Sequence, residues 1–348
     1  MSVSRWVLSC LLASCLLLPS EPVSLVSVPV EGPTLTLALV GDVMLGRGVE
    51  QALEGDWEAA FAGVRPWLAG ADVAFANLES PLTAAPQVRE GYDLRADPES
   101  VVALRAAGFD VFSLANNHAL DAGEAGLAQT VATLEAEGLS GLAHAQPWRR
   151  MEAGASSASL RADLSRLCFL AFDDSVHPLD VEAASRLVAT AASQSDVVVV
   201  SVHWGGEYQA GPSPRQRAVA NALAGAGAGL IVGHGPHVLQ QVEWVGRTLV
   251  AYSLGNFLFD QPYPADCRQG AILSVRLRGG RVAAVEAVPT VAERGRVRFA
   301  EPDEAGAILA RLGLQSASQQ VRKSADLPIG KSANRQVGRS AHRQACHD

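Results

Sequence analysis

Apolar runs of strand length, each ending in a short polar cluster, recur along this chain. Segments of helical length separate them, and this alternation predicts a largely parallel sheet. In such folds the loops at the carboxyl ends of the strands gather at one edge, where sites are built. We therefore expect the polar clusters to meet there: Gly41-Asp42-Val43-Met44, Ala76-Asn77-Leu78-Glu79, Ala115-Asn116-Asn117-His118, Val202-His203-Trp204-Gly205 and Gly233-His234-Gly235-Pro236-His237.

The pattern changes after the last of these clusters. Before it, the predicted strands are 34–40, 72–76, 111–114, 167–172, 197–202 and 230–232, and a long helix is predicted over 49–67. After it, four runs (238–245, 248–253, 271–277 and 281–289) are joined in pairs by short glycine-containing turns, which are typical of hairpins. The second half is therefore predicted to be antiparallel, and the two parts to pack as two sheets with helices outside.

The N-terminus has the composition of a targeting segment. Arg5 precedes an apolar stretch, 6–18, that is shorter than the ~20 residues needed to span a bilayer and resembles the apolar region of a signal peptide. Leu12-Ala13-Ser14-Cys15 also resembles a lipobox, so lipidation of Cys15 is open, as is an uncleaved anchor. We expect export to the cell envelope.

The domain organisation follows from composition. Residues 1–20 form the leader, 21–33 a linker and 34–300 the main domain. Residues 301–348 are predicted to be a short helix and a disordered basic tail, because few apolar residues follow position 315. The formal net charge of −8 argues against nucleic-acid binding, which requires a basic surface.

The cysteines show no zinc-binding spacing. Cys168 lies in a predicted core strand and is interpreted as a small buried hydrophobe. Cys267 and Cys346 could pair in an oxidising compartment, which the sequence alone does not decide.

The first two clusters offer carboxylates. Asp42 can ligate a divalent cation, or it can be a turn residue that bonds its own backbone. Asn77 and Glu79 lie on one side of an extended chain because they are two residues apart. Glu79 can ligate or bridge metals with Asn77 orienting it; the alternative is a loop-capping Asn and a surface Glu.

The third cluster combines amides with an imidazole. Such groups are costly after an apolar strand unless they are hydrogen-bonded or ligated. The Asn117 carbonyl can bind metal, and His118 can donate a proton to a leaving group. Asp121 can orient His118 or cap the next helix.

The last clusters supply three further imidazoles. His203 ends a four-valine strand, where a satisfied core histidine is the alternative to a site residue. His234 and His237 lie on a Gly/Pro turn that can bring both onto one metal, and Glu207 and Tyr208 can line the pocket. Asn256 is interpreted as pocket structure.

Several long stretches resemble the CapA family, the poly-γ-glutamate capsule synthesis proteins of the calcineurin-like metallophosphatase superfamily. They are GDVMLGR, ANLESPLT, LANNHALDAGEAGL, VVVSVHWGGEYQ, IVGHGPHVLQ and AYSLGNFLFDQ, in the family's order over roughly 35–288. The resemblance implies an α/β fold, a four-layer α/β/β/α metallophosphatase-like sandwich of two mixed sheets flanked by helices. It also implies an exported, membrane-associated protein that acts with a capsule or polyglutamate assembly system.

The resemblance assigns roles to residues one at a time. Asp42, Glu79, Asn117, His203, His234 and His237 match metal-ligand positions, and His118 matches the catalytic histidine, with Asp121 beside it. Two positions depart from the pattern: Met44 stands where the superfamily usually has a histidine, and Gly235 replaces the middle histidine of a Gly-His-His-Pro-His motif. One metal site is therefore predicted to lack a ligand.

Three functions follow as hypotheses. The first is support of poly-γ-glutamate or capsule production through a divalent metal (Mn, Fe or Zn) that acts on an amide, carboxylate or phosphoester. Its partners would be the synthesis machinery at the membrane and an anionic polymer or its precursor. The second is a non-catalytic envelope scaffold or polymer-handling factor with a degenerate metal site. The third is a general phosphoesterase, which fold analogy alone supports.

Overall fold

The computed structural model describes residues 23–27, 34–143, 149–151 and 166–314. Its strands are β1 (Val23–Ser27), β2 (Leu35–Val43), β3 (Val73–Leu78), β4 (Val111–Ser113), β5 (Ser140–Leu142), β6 (Arg149–Met151), β7 (Leu167–Asp173), β8 (Val197–His203), β9 (Leu230–His234), β10 (Leu239–Val245), β11 (Thr248–Leu254), β12 (Asn256–Leu258), β13 (Gln269–Arg278), β14 (Arg281–Glu293) and β15 (Arg296–Phe299). Its α-helices are α1 (Arg47–Leu53), α2 (Arg65–Leu68), α3 (Val101–Ala107), α4 (Gly123–Ala136), α5 (Val181–Gln194), α6 (Pro214–Gly225) and α7 (Pro302–Arg311). Short 3-10 turns occupy Trp57–Ala60, Pro98–Ser100 and Ala265–Arg268.

The strands form two mixed sheets. The first has the order β1-β14-β13-β2-β3-β4-β5, with β12 beside β2 and β15 beside β14, and the second has the order β10-β11-β9-β8-β7-β6. One apolar cluster lies between the sheets, where Phe75 and Phe169 stack at 5.5 Å. A second covers the first sheet under α1–α4, and a third covers the second sheet under α5 and α6. The architecture is therefore the four-layer sandwich that the resemblance implied.

The alternation of strands with helices produces parallel pairing, as predicted. β2, β3, β4 and β5 pair in parallel, and so do β7, β8 and β9. The carboxyl ends of β2 and β3 in one sheet, and of β8 and β9 in the other, therefore bring their polar clusters to one edge of the sandwich.

The prediction of an antiparallel second half is only partly right. The β10–β11 and β13–β14 hairpins form as expected, but β11 pairs in parallel with β9 and β12 in parallel with β2. A hairpin turn fixes the relation between its own two strands and not the sheet edge that they join. Accordingly, one hairpin extends the second sheet, while β13 adds to the first sheet antiparallel to β2.

Two further predictions differ from the structure. The predicted helix 49–67 is interrupted because Glu54 and Gly55 adopt left-handed backbone angles (φ 49° and 87°), which end α1. The predicted linker 21–33 contains β1, whose Val and Leu residues favour an extended chain. β1 pairs antiparallel with β14 along the outside of the first sheet.

The register of β1 sets where it enters the sheet. Val23 pairs with Ala287, Ala287 with Leu273, and Leu273 with Leu39. Because β1 runs antiparallel to β14, its first residue lies at the end nearer the polar clusters. No helix in the described ranges is long and apolar enough to cross a membrane. The predicted leader and basic tail lie outside those ranges.

Burial settles part of the cysteine interpretation. Cys168 is fully buried in the cluster under α5 and α6, as predicted, and burial raises its pKa to about 11. Cys267 is also buried, whereas Cys346 lies outside the described residues.

Candidate metal centre

Five predicted ligands meet where the two sheets adjoin. Asp42 lies near the end of β2, and Glu79 directly follows β3. His203 and His234 are the last residues of β8 and β9, and His237 follows within the next turn. All five side chains are buried. The backbones of Gly41 and Gly255 approach closely at this point. A Cβ on Gly41 would lie only 1.9 Å from the carbonyl oxygen of Gly255.

Asp42 is the central acceptor of this group. Its Oδ1 accepts from Asn77 Nδ2 at 2.9 Å and lies 3.1 Å from His234 Nδ1. Its Oδ2 accepts from the backbone N–H of Gly235 at 3.3 Å and lies 3.5 Å from His237 Nδ1. These partners come from distant segments, not from the turn that holds Asp42. Burial raises the pKa of Asp42, but the hydrogen bond and charge of His234, with the charges of His237 and His203, lower it to about 2.

Glu79 has the opposite electrostatic character. Its Oε1 accepts from Asn77 Nδ2 at 3.3 Å and lies 3.4 Å from His203 Nδ1, while its buried Oε2 has no hydrogen-bond partner. Burial, with repulsion from Asp42 and Glu207, raises the pKa of Glu79 well above its ordinary value. A fully buried carboxylate oxygen without a partner is costly, so this position is poised for a positive charge.

His203 completes the closest group of donors. Ligand atoms of Asp42, Glu79 and His203 all lie within 4.8 Å of one another. Burial lowers the pKa of His203 to about 3, so that the imidazole is neutral at neutral pH and keeps a lone pair for ligation. The His203 ring lies beside the buried carboxyl groups of Asp42 and Glu79. This environment differs from that of a histidine packed in an apolar core.

The spacing of donors fits a divalent cation. Carboxylate oxygens and imidazole nitrogens each about 2.1 Å from one ion would be separated by roughly 3.0–3.4 Å in tetrahedral or octahedral geometry. His203 Nδ1 lies 3.4 Å from Glu79 Oε1, and His234 Nδ1 lies 3.1 Å from Asp42 Oδ1. Glu79 Oε2 and His234 Nε2 in this group are buried without a hydrogen-bond partner, and so is Asn117 Oδ1 in the third cluster. The residues present therefore fit a metal.

The third cluster forms a separate arm of the site. Asn116 Nδ2 donates to Asn77 Oδ1 at 3.1 Å and to the Leu78 carbonyl at 2.9 Å, which ties the arm to β3. His118 Nδ1 lies 2.9 Å from Asp121 Oδ2. Helix α4 begins at Gly123 without a side-chain cap, so Asp121 orients His118 and does not cap the helix. The contact engages Nδ1 of the partly exposed His118 ring and does not involve Nε2.

Asn256, which the sequence predicts to be pocket structure, contacts one of the predicted ligands. Its Oδ1 lies 2.9 Å from His237 Nδ1, and its Nδ2 donates to Gln261 Oε1 and the Cys267 carbonyl, both at 3.0 Å. The two donated bonds fix which end of the amide faces His237. The signal in the sequence was a polar residue directly after an apolar strand and Gly255, the same pattern that marked the other clusters.

The two departures from the family pattern have structural counterparts. Met44 is fully buried and packs in the apolar cluster under α1–α4, so it offers no imidazole to the metal centre. Gly235 has φ 101°, and a Cβ there would lie 2.9 Å from His203 Nε2. A side chain at Gly235 therefore cannot be added without displacing His203. Glu207 and Tyr208 are exposed, and the Tyr208 ring lies 6.4 Å from that of His237.

The fold is a four-layer sandwich of two mixed sheets with helices outside, and it holds a buried candidate metal centre. The family model described as "Bacterial capsule synthesis protein PGA_cap" matches residues 36–261. The chain is 33% identical over 270 residues to PGA biosynthesis protein CapA of Bacillus subtilis (strain 168), covering 73% of this chain and 71% of that protein. It is 31% identical over 288 residues to capsule biosynthesis protein CapA of Bacillus anthracis, covering 76% and 69%.

A probable polyglutamine synthesis accessory protein of Mycobacterium tuberculosis is more distant, 29% identical over 285 residues that cover 65% of this chain and 74% of that protein. The family match spans well over half of the chain. This protein therefore belongs to the bacterial capsule synthesis protein PGA_cap family, as the resemblance of its motifs implied.

Proposed function

We propose that this protein supports the production of poly-γ-glutamate or a related capsule polymer through a metal-dependent site. Its two most similar relatives above carry names of that process. The observation that carries the proposal is the buried donor group of Asp42, Glu79 and His203, in which one carboxylate oxygen has no partner. A merely structural polar core would pair that oxygen.

The donor set favours Mn, Fe or Zn, since it mixes carboxylate oxygens with imidazole nitrogens. Asp42, Glu79, His203, His234 and His237 would hold the ion, and Asn117 Oδ1 is available as an amide ligand. A bound divalent cation supplies Lewis acidity toward the acyl or phosphoryl oxygen of an amide, carboxylate or phosphoester.

The protein's own residues handle the proton. Asp121 holds the His118 ring by its Nδ1–H, so Nε2 can receive a proton and return it to a leaving group. His118 is less buried than the metal ligands, which suits a group that must meet a substrate.

A non-catalytic role is the second candidate. Met44 removes one ligand of the family pattern, and Gly235 leaves no space for another beside His203. The protein would then bind metal for structure and handle the polymer without turnover. Under that alternative, substitution of His118 alone leaves polymer output intact.

Location at the cell envelope is part of the proposal. The leader composition and the possible lipidation of Cys15 support export, and β1 begins shortly after the leader on the outside of the first sheet. A retained leader would then hold the edge with the metal centre toward the membrane and its polymer-synthesis machinery. Cell fractionation of the wild-type protein and a Cys15→Ser variant tests this: equal recovery from the soluble cytoplasmic fraction would contradict it.

Complementation tests the function itself. In a polymer-producing host that lacks its own family member, we expect His118→Ala and His234→Ala to abolish polymer output. His177→Ala, at an exposed histidine outside the donor group, is the matched control and should retain output. Normal output from folded His118→Ala but not from His234→Ala would favour the scaffold, and normal output from both would overturn the proposal.

A further inference from the structure

An exposed loop lies against the segment that carries His118. This rim loop, residues 84–95, follows β3, and its Val88 backbone N–H donates to the Asp121 carbonyl at 2.8 Å. Arg89 makes a second, longer backbone contact of 3.3 Å to the same carbonyl. One end of the rim loop is therefore fixed to the segment that carries His118.

The other end of the rim loop is linked to the histidine turn indirectly, through Arg47 and Phe259. The Tyr92 ring, which is largely exposed, lies 5.8 Å from the Arg47 guanidinium. Arg47 in turn lies 5.9 Å from the Phe259 ring, and that ring is 5.1 Å from His237. The direct contacts of the rim loop are therefore with the segment that carries His118, and Arg47 and Phe259 separate its other end from His237.

Arg89 is a charged group with an unusual environment on this loop. It is exposed, and one of its guanidinium N–H groups donates to the backbone carbonyl of Asn117. Within the described part of the chain, no carboxylate forms an ion pair with it. Two other arginines at the rim loop form ion pairs: Arg47, beside Tyr92, pairs with Asp260, and Arg95 pairs with Asp93. Arg89 therefore keeps most of its donors for a ligand, and the Asn117 contact limits its rotation.

The charge of the site gives this arginine a function. Asp42 and Glu79 place two carboxyl groups in the centre, and Asp121 places a third beside His118. These carboxyl groups would repel an anionic ligand that approaches His118. Such a ligand therefore needs a positive group, like Arg89, that is not already paired with a carboxylate. A guanidinium suits this task because its planar donors bind both oxygens of an oxyanion.

We propose that Arg89 is a substrate-positioning residue that binds an oxyanion, a carboxylate or phosphoryl group, beside His118. The inference rests on the proposed function and adds the substrate chemistry: the ligand carries a negative group within reach of the proton-transfer arm. The carboxylate of a glutamate polymer and the phosphoryl group of a phosphoester share this chemistry, so the test uses a probe of each kind.

The test measures binding and metal content in parallel on the full chain. Wild type, Arg89→Ala, Arg89→Lys and Arg247→Ala are titrated calorimetrically with a γ-linked glutamate oligomer and, separately, with inorganic phosphate. Arg247 is a matched control, since it is exposed on the β10–β11 turn at the opposite end of the sheet and has no ion pair with any described residue. Elemental analysis reports metal for every variant.

We expect Arg89→Ala to weaken binding of one probe roughly 10- to 100-fold, the range for a lost charge-assisted hydrogen bond. Arg89→Lys should recover part of the affinity, and Arg247→Ala should behave as wild type. The probe that responds identifies a carboxylate or a phosphoryl ligand. Metal content should be equal in all four proteins.

Three results would overturn the inference. They are equal binding by Arg89→Ala and Arg247→Ala, no binding of either probe by metal-loaded wild type, and loss of metal in Arg89→Ala, which would make the arginine a support for Asn117. A wild-type protein that binds a probe through Arg89 but holds no metal would instead contradict the proposed function alone.

Discussion

Replacement of Glu79 by glutamine should make the metal-free protein more stable while removing its metal. Burial and the neighbouring carboxylates raise the pKa of Glu79, and its Oε2 has no partner. The amide of Glu79→Gln keeps the shape without the buried charge. Removal of this buried charge is worth about 1–3 kcal/mol at a pH above the ordinary glutamate pKa, and each kcal/mol shifts Tm by about 2–4 °C in a domain of this class.

The pH dependence follows from the direction of the pKa shift. A carboxyl group whose pKa is raised in the folded state keeps its proton there after the unfolded chain has lost it. Wild-type stability therefore falls as pH rises from the ordinary glutamate pKa through the raised value of Glu79. Glu79→Gln lacks this loss, so its advantage in chelator should be present at pH 8 and absent at pH 4.

Metal should reverse the order of stability. A ligand at 100 times its Kd stabilises the folded state by about 2.7 kcal/mol, and only the wild type should gain this. Differential scanning calorimetry in EDTA and in excess Mn²⁺ or Zn²⁺ measures both effects. The reasoning fails if Glu79→Gln is less stable than wild type in EDTA at pH 8, or if metal raises the Tm of both proteins equally.

Three other substitutions should separate the parts of the site. Asp42→Asn should remove metal and, unlike Glu79→Gln, destabilise the metal-free protein by about 2 kcal/mol. The lowered pKa of Asp42 contributes stability that is present above pH 3.8 and is lost as the pH falls toward 2. Urea unfolding at pH 7 and at pH 2.5 measures this difference. Gly235→Ala should cost about 1–3 kcal/mol in urea unfolding and displace His203, since φ is 101° and the new Cβ would clash with the ring; unchanged stability and metal content would contradict this. Asn256→Ala should weaken metal affinity roughly 10- to 100-fold in a competition titration with a chelator, because His237 loses the acceptor of its Nδ1–H.

The apolar runs and the polar clusters that follow them were sufficient to predict the two sheets with helices outside. They also predicted the edge of the sheets at which the candidate site lies. Four valines before His203 indicate a strand buried on both faces, and the polar residues after each such strand have to meet once the strands pair in parallel. Asp42 and Glu79 are brought into one buried group on this basis. The same pattern at Asn256 was present in the sequence but was interpreted as pocket structure.

The elements that were not predicted depend on tertiary contacts. A Gly-containing turn indicates the β13–β14 hairpin but not that β13 joins β2 across the chain. β1 forms because β14 offers a free edge, which the composition of 21–33 does not reveal. The orientation of His118 by Asp121 depends on where α4 begins, and spacing alone left the capping alternative open.

Metal occupancy of the buried donors decides between a metal-dependent protein and a non-metal scaffold. It is measured by elemental analysis of the purified full chain, beside a His234→Ala/His237→Ala variant and the exposed-histidine control His177→Ala. We expect near-stoichiometric Mn, Fe or Zn in wild type and in the control, and its loss from the double variant. A folded wild-type protein with no bound metal, and no rise in Tm on adding these ions, would rule out the metal centre and leave a non-metal scaffold as the function.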